Sequence, residues 1–355
     1  MKGLWRLPAI GLLLLAAGIV AQAQPEGWTV SLTGGISTPN NFNMPEQTTG
    51  FFGIDAGWRY RVGDEEWWMQ RRNHPMFGAK ASVIFVPDGI AGHRLGAAGY
   101  IWAPLKGRLG YHWGLGLSMY TRSACYTHDE ANIYITTMLT CLIDLGLDYR
   151  LGDKTTLSLA FMHASNGKLN YPNKGLNYLQ GAVEYGLSPA SEQKRIATPQ
   201  PKPEYSRNEL GITLSGALAK EDKLDGSLYG CYDISLNYAR YIDPVVDCGA
   251  TLDLWFIGSQ WEQIRTEECN WAVPVYCSAL AFIEGFWGPI SIKGGIGPVL
   301  LAPQRLVSIR FYERAGVYYN WSNNYVGVAI NAHAGRAEFI EWSYGRRFRL
   351  GRGRR

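Results

Sequence analysis

The strongest constraint on the fold is an alternation of apolar and polar residues that recurs along nearly the whole chain. A period of two indicates β-strands with two different faces. Within residues 245–257, Val246 and Leu252 lie on one face, whereas Asp247 and Asp253 lie on the other. Charges inside a strand fit a membrane barrel with an apolar outer wall and a polar interior. A soluble sandwich with its apolar face inward would show the same alternation.

The alternation predicts sixteen strands in two groups of eight. The groups are divided at residues 189–206, where prolines and charges interrupt the pattern and predict a linker. Eight strands can close a barrel whose interior is filled by side chains, so two barrels are favoured over one larger barrel of about sixteen strands. The predicted fold class is therefore all-β, an antiparallel transmembrane β-barrel protein of two eight-strand units. The predicted strands are 28–37, 50–62, 76–87, 93–104, 108–121, 134–150, 155–165, 177–188, 207–219, 227–241, 244–257, 273–286, 288–301, 306–320, 323–334 and 337–349.

The first 23 residues are typical of a secretory signal peptide. Lys2 and Arg6 flank the start of an apolar segment that is too short to span a bilayer as a mature helix. Ala21 and Ala23 then satisfy the small-residue rule for cleavage. Export, 42 glycines and 13% aromatic residues together favour the bacterial outer membrane. The expected segments are a signal peptide at 1–23, a first unit at 24–188, the linker at 189–206, a second, degenerate unit at 207–350 and a basic tail at 351–355.

Charge and metal-ligating residues argue against two other classes of function. The formal net charge is +4, and Lys2 and Arg6 contribute two of the positive charges, so nucleic-acid binding is not expected. The cysteines and histidines show no zinc-like spacing, so no metal site is expected. Export permits disulfides, and Cys269 and Cys277 are the pair closest in sequence. Four scattered histidines are expected in turns or at the surface: His74, His93, His112 and His128.

A candidate site lies at the end of the seventh predicted strand, in the segment FMHASNGKLNYPNKGLN. His163 and Ser165 share the face of Phe161, and Asn177 shares the face of Leu179 in the next strand. The apolar face should meet lipid, so these three polar side chains are expected to project outward at the barrel rim. Unpaired polar groups facing acyl chains cost about a few kcal/mol each. They are expected where the reactant is itself a lipid.

The same segment resembles the signature of the lipid A 3-O-deacylases of the PagL type, outer-membrane esterases with eight-stranded barrels. The pattern is His-x-Ser-Asn followed by Pro-Asn-x-Gly. Six residues match it at the same spacing: His163, Ser165, Asn166, Pro172, Asn173 and Gly175.

The resemblance implies hydrolysis of an ester-linked acyl chain of lipid A, or lipopolysaccharide, in the outer leaflet and without a cofactor. Ser165 would be the nucleophile and His163 its general base, because a serine hydroxyl is inert until its proton is removed. Asn166 would stabilise the oxyanion, and Asn173 would shape the loop or assist that site.

One position departs from the family pattern. The acid of the triad falls on Asn177, which can orient a histidine but cannot stabilise an imidazolium as a carboxylate does. In a serine triad the analogous exchange lowers turnover about ten-thousand-fold. Glu184 is the nearest acid in that strand, but its parity places it on the inner face. The alternative function is therefore a non-catalytic outer-membrane barrel with a structural or transport role.

The second half echoes the first but lacks a matching site. AFMHASNG in the first half is similar to AINAHAGR in the second, which indicates a duplicated unit. His333 is the aligned histidine, yet alanine and glycine follow where the serine should be, and parity turns His333 inward. Inward Arg310, Arg314 and Glu341 predict a salt-bridge cluster that fills the barrel.

Overall fold

A computed structural model describes most of the chain. The signal peptide up to residue 22, the linker at 189–206 and the basic tail lie outside the described residues, as do Pro172, Cys269, Arg310 and His128. The described ranges are 23–39, 48–62, 66–87, 89–123, 132–171, 173–187, 207–221, 226–261, 275–302, 311–333 and 336–350.

The first barrel is closed by eight antiparallel strands, each paired with the next and the eighth with the first. A short helix, α1 (Trp67–Arg71), connects the second and third strands, and its buried Trp68 packs edge-on against Phe77. The strands are β1 (Ala23–Pro39), β2 (Thr49–Val62), β3 (Met76–Phe85), β4 (Arg94–Lys106), β5 (Leu109–Tyr120), β6 (Leu139–Arg150), β7 (Thr155–Ser165) and β8 (Leu176–Gly186).

The second barrel is also closed by eight antiparallel strands, and its last strand pairs with its first. A 3-10 turn (Gly258–Gln260) follows the third strand of this barrel. The strands are β9 (Asn208–Lys220), β10 (Leu228–Asp243), β11 (Val246–Ile257), β12 (Val275–Trp287), β13 (Ile290–Leu301), β14 (Phe311–Trp321), β15 (Asn324–His333) and β16 (Arg336–Leu350). The prediction of two eight-strand units is confirmed, and they form two barrels, not one of sixteen strands.

Contacts between residues divide the chain into two compact units. The first comprises Met1–Ser165 and Lys174–Pro201, and the second comprises Asn166–Asn173 and Lys202–Arg355. The second unit therefore includes the segment that follows β7 as well as the second barrel. No helix in the described ranges is long and apolar enough to cross a membrane.

The two faces of the strands differ as the alternation predicts. In β10, Tyr232, Ile234 and Leu236 are exposed, whereas Asp233 and Ser235 are buried. The polar side chains therefore fill the barrel interior, and the apolar side chains form the outer wall that lipid can cover.

Polar contacts inside the first barrel correct one prediction. His112 is buried in the interior, and its Nδ1 and Nε2 lie 2.7 and 3.3 Å from carboxylate oxygens of Asp148 and Asp144. Asp144 also forms an ion pair with Lys80. The expectation that His112 lies in a turn or at the surface is wrong, because its position in β5 gives it inward parity. Glu184 faces inward as predicted and pairs with Arg59.

The second interior contains the predicted cluster around Arg314. The guanidinium lies 3.4 Å from Asp233, 3.0 Å from Asp253 and 3.3 Å from Glu341. This confirms the pairing of Arg314 with Glu341. The four described cysteines, which are Cys141, Cys231, Cys248 and Cys277, are free.

One predicted strand begins later than expected. The sequence pattern starts the sixth strand at residue 134, whereas β6 begins at Leu139. The Oδ1 of buried Asn132 accepts hydrogen bonds from the backbone N–H groups of Tyr134 (3.3 Å) and Ile135 (3.0 Å). Such a side-chain turn competes with strand pairing, so this apolar segment forms a loop.

Candidate active site

The β7–β8 ladder brings His163 and Asn177 together. The two residues are directly opposite in the antiparallel register, and His163 Nδ1 lies 2.7 Å from Asn177 Oδ1. Directly opposed side chains on one face of a ladder are close enough to interact. Their neighbours on the same face, Phe161 and Leu179, are both exposed. The pair therefore lies on the outer, apolar face of the first barrel, as parity predicts.

This hydrogen bond fixes which ring nitrogen is free. With Asn177 Oδ1 as acceptor, His163 Nδ1 carries the proton and donates it. Nε2 then keeps its lone pair and can accept a proton from another group.

Gly175 lies against this free edge of the imidazole. Its φ is +71°, and an added Cβ would lie 2.8 Å from His163 Cε1 and 3.1 Å from Nε2. Any other residue at position 175 would therefore press on the ring and be strained in its backbone as well. This close contact with the His163 ring explains why the sequence motif has a glycine at position 175.

Ser165 is the last residue of β7 and shares the face of His163. It pairs with Cys141 of β6 and is buried. No hydrogen bond joins Ser165 to His163 within the described residues, where the ring bonds only to Asn177. The structure thus places nucleophile and base candidates two residues apart on one strand face, without a formed proton-transfer contact.

Asn166 and Asn173 are joined by the turn that follows β7. Asn173 Oδ1 accepts a hydrogen bond from the backbone N–H of Asn166 at 3.2 Å. The Nδ2 donor of Asn173 is buried and makes no hydrogen bond within the described part of the chain. An unused buried donor beside the residue after Ser165 is the feature that an oxyanion site requires.

The backbone of the turn has a defined form. Gly167 and Lys168 both have positive φ, +59° and +63°, and Leu169 N–H donates to Asn166 O at 3.3 Å. Two consecutive left-handed residues closed by such a bond are typical of a type I′ turn.

The loop before β6 supports the site and was not identified from the sequence. The backbone N–H groups of Lys174 and Gly175 donate to Ile133 O (3.3 Å) and Tyr134 O (3.1 Å). Asn132 organises this loop through its own side chain, and its Nδ2 also donates to Arg122 O at 2.9 Å. An asparagine preceding an apolar segment is the sequence signal that could have indicated a turn here.

Two family models match the chain. The model described as "Lipid A 3-O-deacylase (PagL)" matches residues 52–186, and the model described as "Acyloxyacyl hydrolase, C-terminal domain" matches residues 208–350. The chain belongs to the PagL family. Membership in this family and the closed barrels indicate the outer membrane and support hydrolase activity in general.

Solved structures are similar to the chain only at low identity. A crystal structure of the outer membrane enzyme PagL is 16% identical with a TM-score of 0.35, over 45% of this chain and 99% of that one. A mutant porin of Rhodopseudomonas blastica is 9% identical with a TM-score of 0.22, over 91% of this chain and 99% of the porin. No curated protein matches the chain.

The C-terminal domain model covers the barrel that contains His333. His333 Nδ1 lies 2.9 Å from the backbone oxygen of Phe311, and its ring packs against Tyr312. Its position in β15 has the parity of buried Asn331, so it belongs to the inner face as predicted. Elsewhere in the described ranges, no group of three or more His, Cys, Asp or Glu side chains is placed to hold a metal ion.

Proposed function

We propose that this chain hydrolyses an ester-linked acyl chain of lipid A in the outer leaflet of the outer membrane. The observation that carries the proposal is the His163–Asn177 pair on the apolar outer face of β7 and β8, where His163 lies two residues before Ser165 on the same strand face. A base displayed there meets the acyl region of a lipid without the substrate entering the barrel. The family description supports the same substrate class.

In this mechanism Ser165 Oγ attacks the ester carbonyl while its proton passes to His163 Nε2. Asn177 Oδ1 holds the ring through Nδ1–H in the orientation that this transfer needs. Ser165 must come within hydrogen-bond reach of Nε2 when substrate binds, since catalytic hydrogen bonds often tighten only in the complex.

The tetrahedral oxyanion would be stabilised by the turn after Ser165. Asn166, together with the unused Nδ2 donor of Asn173, supplies the donors. One donor of this kind contributes about 3 kcal/mol. His163 then protonates the departing sugar oxygen, and a water molecule activated by Nε2 hydrolyses the acyl-serine ester.

The membrane topology is consistent with this site. With a cleaved signal peptide and a periplasmic amino terminus, odd-numbered strands run outward, so β7 ends at the outer leaflet. The proposal requires that the chain be exported, and the signal peptide predicted at residues 1–23 provides this step.

A non-catalytic barrel of the same ancestry is the second candidate. It is favoured by the amide in place of the acid at position 177 and by the missing Ser165–His163 hydrogen bond within the described residues.

Mass spectrometry of lipid A distinguishes the two functions. Cells expressing the wild type should contain lipid A that lacks one ester-linked acyl chain, and cells expressing Ser165→Ala should not. Folding of both proteins is verified by their heat-modifiable mobility in gels. Identical acylation in the two strains, with both barrels folded in the membrane, would defeat the esterase proposal.

A further inference from the structure

The loop between β5 and β6 packs behind the strands that display the candidate base. Tyr134 of this loop is fully buried and belongs to the same apolar cluster as Ala164 and Leu176. These two residues are directly opposite one another in the β7–β8 ladder, and they are adjacent in sequence to His163 and Asn177. The loop therefore supports, from the inner face, the part of the ladder whose outer face carries the histidine.

The backbone of the loop also holds the residue that touches the imidazole. Gly175 N–H donates to Tyr134 O at 3.1 Å, and Lys174 N–H donates to Ile133 O at 3.3 Å. Gly175 is so close to His163 that an added Cβ would lie 2.8 Å from Cε1 and 3.1 Å from Nε2. The two loop carbonyls thus set the position of the glycine that confines the Nε2 edge of the ring.

The side chain of Asn132 fixes the backbone of this loop. Its Oδ1 accepts hydrogen bonds from the N–H groups of Tyr134 (3.3 Å) and Ile135 (3.0 Å), and its Nδ2 donates to Arg122 O at 2.9 Å. These residues lie between β5 and β6, so no strand ladder holds them in place. Asn132 is buried, and the groups that it bonds lie in the same compact unit as His163 and Gly175.

We infer that Asn132 is a positioning residue for the ester hydrolysis proposed above, on which this inference rests. It holds the loop carbonyl that binds Gly175, and Gly175 occupies the space into which the His163 ring would turn. Without Asn132 the ring can rotate away from Asn177, and Nε2 loses the orientation that proton transfer needs. Asn132 itself touches neither the ring nor the substrate.

The kinetic test compares two substitutions at this position in the full-length chain. Asn132→Ala should lower kcat about tenfold and leave KM nearly unchanged, because a misaligned base acts on the transition state and not on substrate binding. Asn132→Asp keeps an acceptor for both loop N–H groups, so its kcat should stay within about threefold of the wild type.

Ser118→Ala is the matched control. Ser118 is buried in the same barrel, and its Oγ lies 2.8 Å from Thr140 Oγ1 in the β5–β6 ladder. Thr140 Oγ1 also donates to Ser118 O at 3.2 Å, so it keeps a partner in the variant. Ser118→Ala therefore removes a buried hydrogen bond without touching the loop, and its kcat should equal that of the wild type.

The ¹⁵N resonances of the His163 ring give a readout that does not depend on turnover. They are recorded for the full-length chain in detergent micelles and identified by their loss in His163→Gln. The wild type and Ser118→Ala should show one tautomer, with Nδ1 protonated and Nε2 not. Asn132→Ala should instead show averaged shifts, because the ring is no longer held against Asn177.

Three outcomes overturn the inference: a wild-type kcat in Asn132→Ala, ring resonances in that variant that match the wild type, or an aspartate variant as slow as the alanine variant. Failure of the esterase proposal looks different, because the wild type would then release no more fatty acid than Ser165→Ala, while the ring resonances still report on Asn132. Should Asn132→Ala fail to fold, Asn132→Leu fills the same space without hydrogen bonds and provides the same test.

Discussion

His163 depends for its orientation on the residue directly across the β7–β8 ladder. Asn177 is fourteen positions later in sequence, yet antiparallel pairing places its Oδ1 2.7 Å from His163 Nδ1. An amide at this place fixes the ring tautomer but offers no negative charge. The base can therefore be aligned correctly and still be weak, because the imidazolium formed during attack is not stabilised.

Asn177→Asp should raise kcat by at least about tenfold, because it supplies that charge at nearly unchanged size and position. Asn177→Leu, which keeps the size but removes the acceptor, should lower kcat below the wild-type value. Both are checked by the rate of fatty-acid release from purified lipid A in detergent micelles. An aspartate variant no faster than the wild type would show that Asn177 does not act through His163.

Gly175 is the second residue that contacts the His163 ring, and this contact leaves no room for a side chain at position 175. Gly175→Ala should lower kcat by about tenfold or more, because the new methyl group displaces the imidazole edge that carries Nε2. Gly107→Ala is the matched control: Gly107 has a similar φ of +61°, but an added Cβ there meets nothing within 4 Å. Equal losses in the two variants, by the same release assay, would assign the effect to backbone strain and not to the ring.

At the level of strands, parity predicted which side chains face lipid and which face the interior. The alternation is a local property, so the outward placement of His163 and Asn177 and the inward placement of Glu184 could be read from sequence. The same rule applied to His112 would have placed it inside, between Asp144 and Asp148. His112 was expected in a turn or at the surface because it was grouped with the other scattered histidines, although the predicted strand 108–121 contains it.

The contacts that hold the site loop could not be predicted in this way. The backbone hydrogen bond from Gly175 to Tyr134 joins segments about forty residues apart. Loop conformations are determined by hydrogen bonds to distant backbone groups, which no periodicity records. The loop geometry around Asn166 and Asn173 therefore could not be predicted from the sequence and is known only from the structure.

An ion pair inside the first barrel joins two strands that are not neighbours in the sheet. Lys80 of β3 pairs with Asp144 of β6 inside the barrel. Lys80→Met should lower the free energy of unfolding by about 3–5 kcal/mol, because it leaves a buried carboxylate without its cation. The double variant Lys80→Met/Asp144→Leu should recover most of that loss. Urea unfolding in lipid vesicles measures both, and a double variant as unstable as the single one contradicts the argument.

Across the whole molecule, the two barrel interiors differ in charge balance. In the described part of the first, four carboxylates are matched by three cations and by His112. In the described part of the second, six buried carboxylates are accompanied by four cations: Arg314, Lys293, Arg347 and the largely exposed Arg349, which pairs with Glu209. Among the described residues, Asp247 is the buried carboxylate of this interior that forms no ion pair with a cation.

Asp247 in the second barrel is the clearest case of an unmatched carboxylate. It is fully buried, and neither of its oxygens accepts a hydrogen bond within the described residues. It borders a small cavity that Glu209 and Glu284 also line. Asp247→Asn should therefore raise the free energy of unfolding of the second barrel by about 1–3 kcal/mol, since it removes an unpaired buried charge at constant size.

The same exchange in the first barrel should have the opposite sign. Asp144→Asn removes a carboxylate that Lys80 and His112 both contact, and it should destabilise that barrel by about 3 kcal/mol. Hydrogen exchange as a function of urea, followed on peptides from β5–β6 and from β10–β11 of the full chain, reports each barrel separately. Destabilisation by Asp247→Asn would mean that its carboxylate is neutralised in the folded barrel, and the acidic interior would then be a paired network like the first.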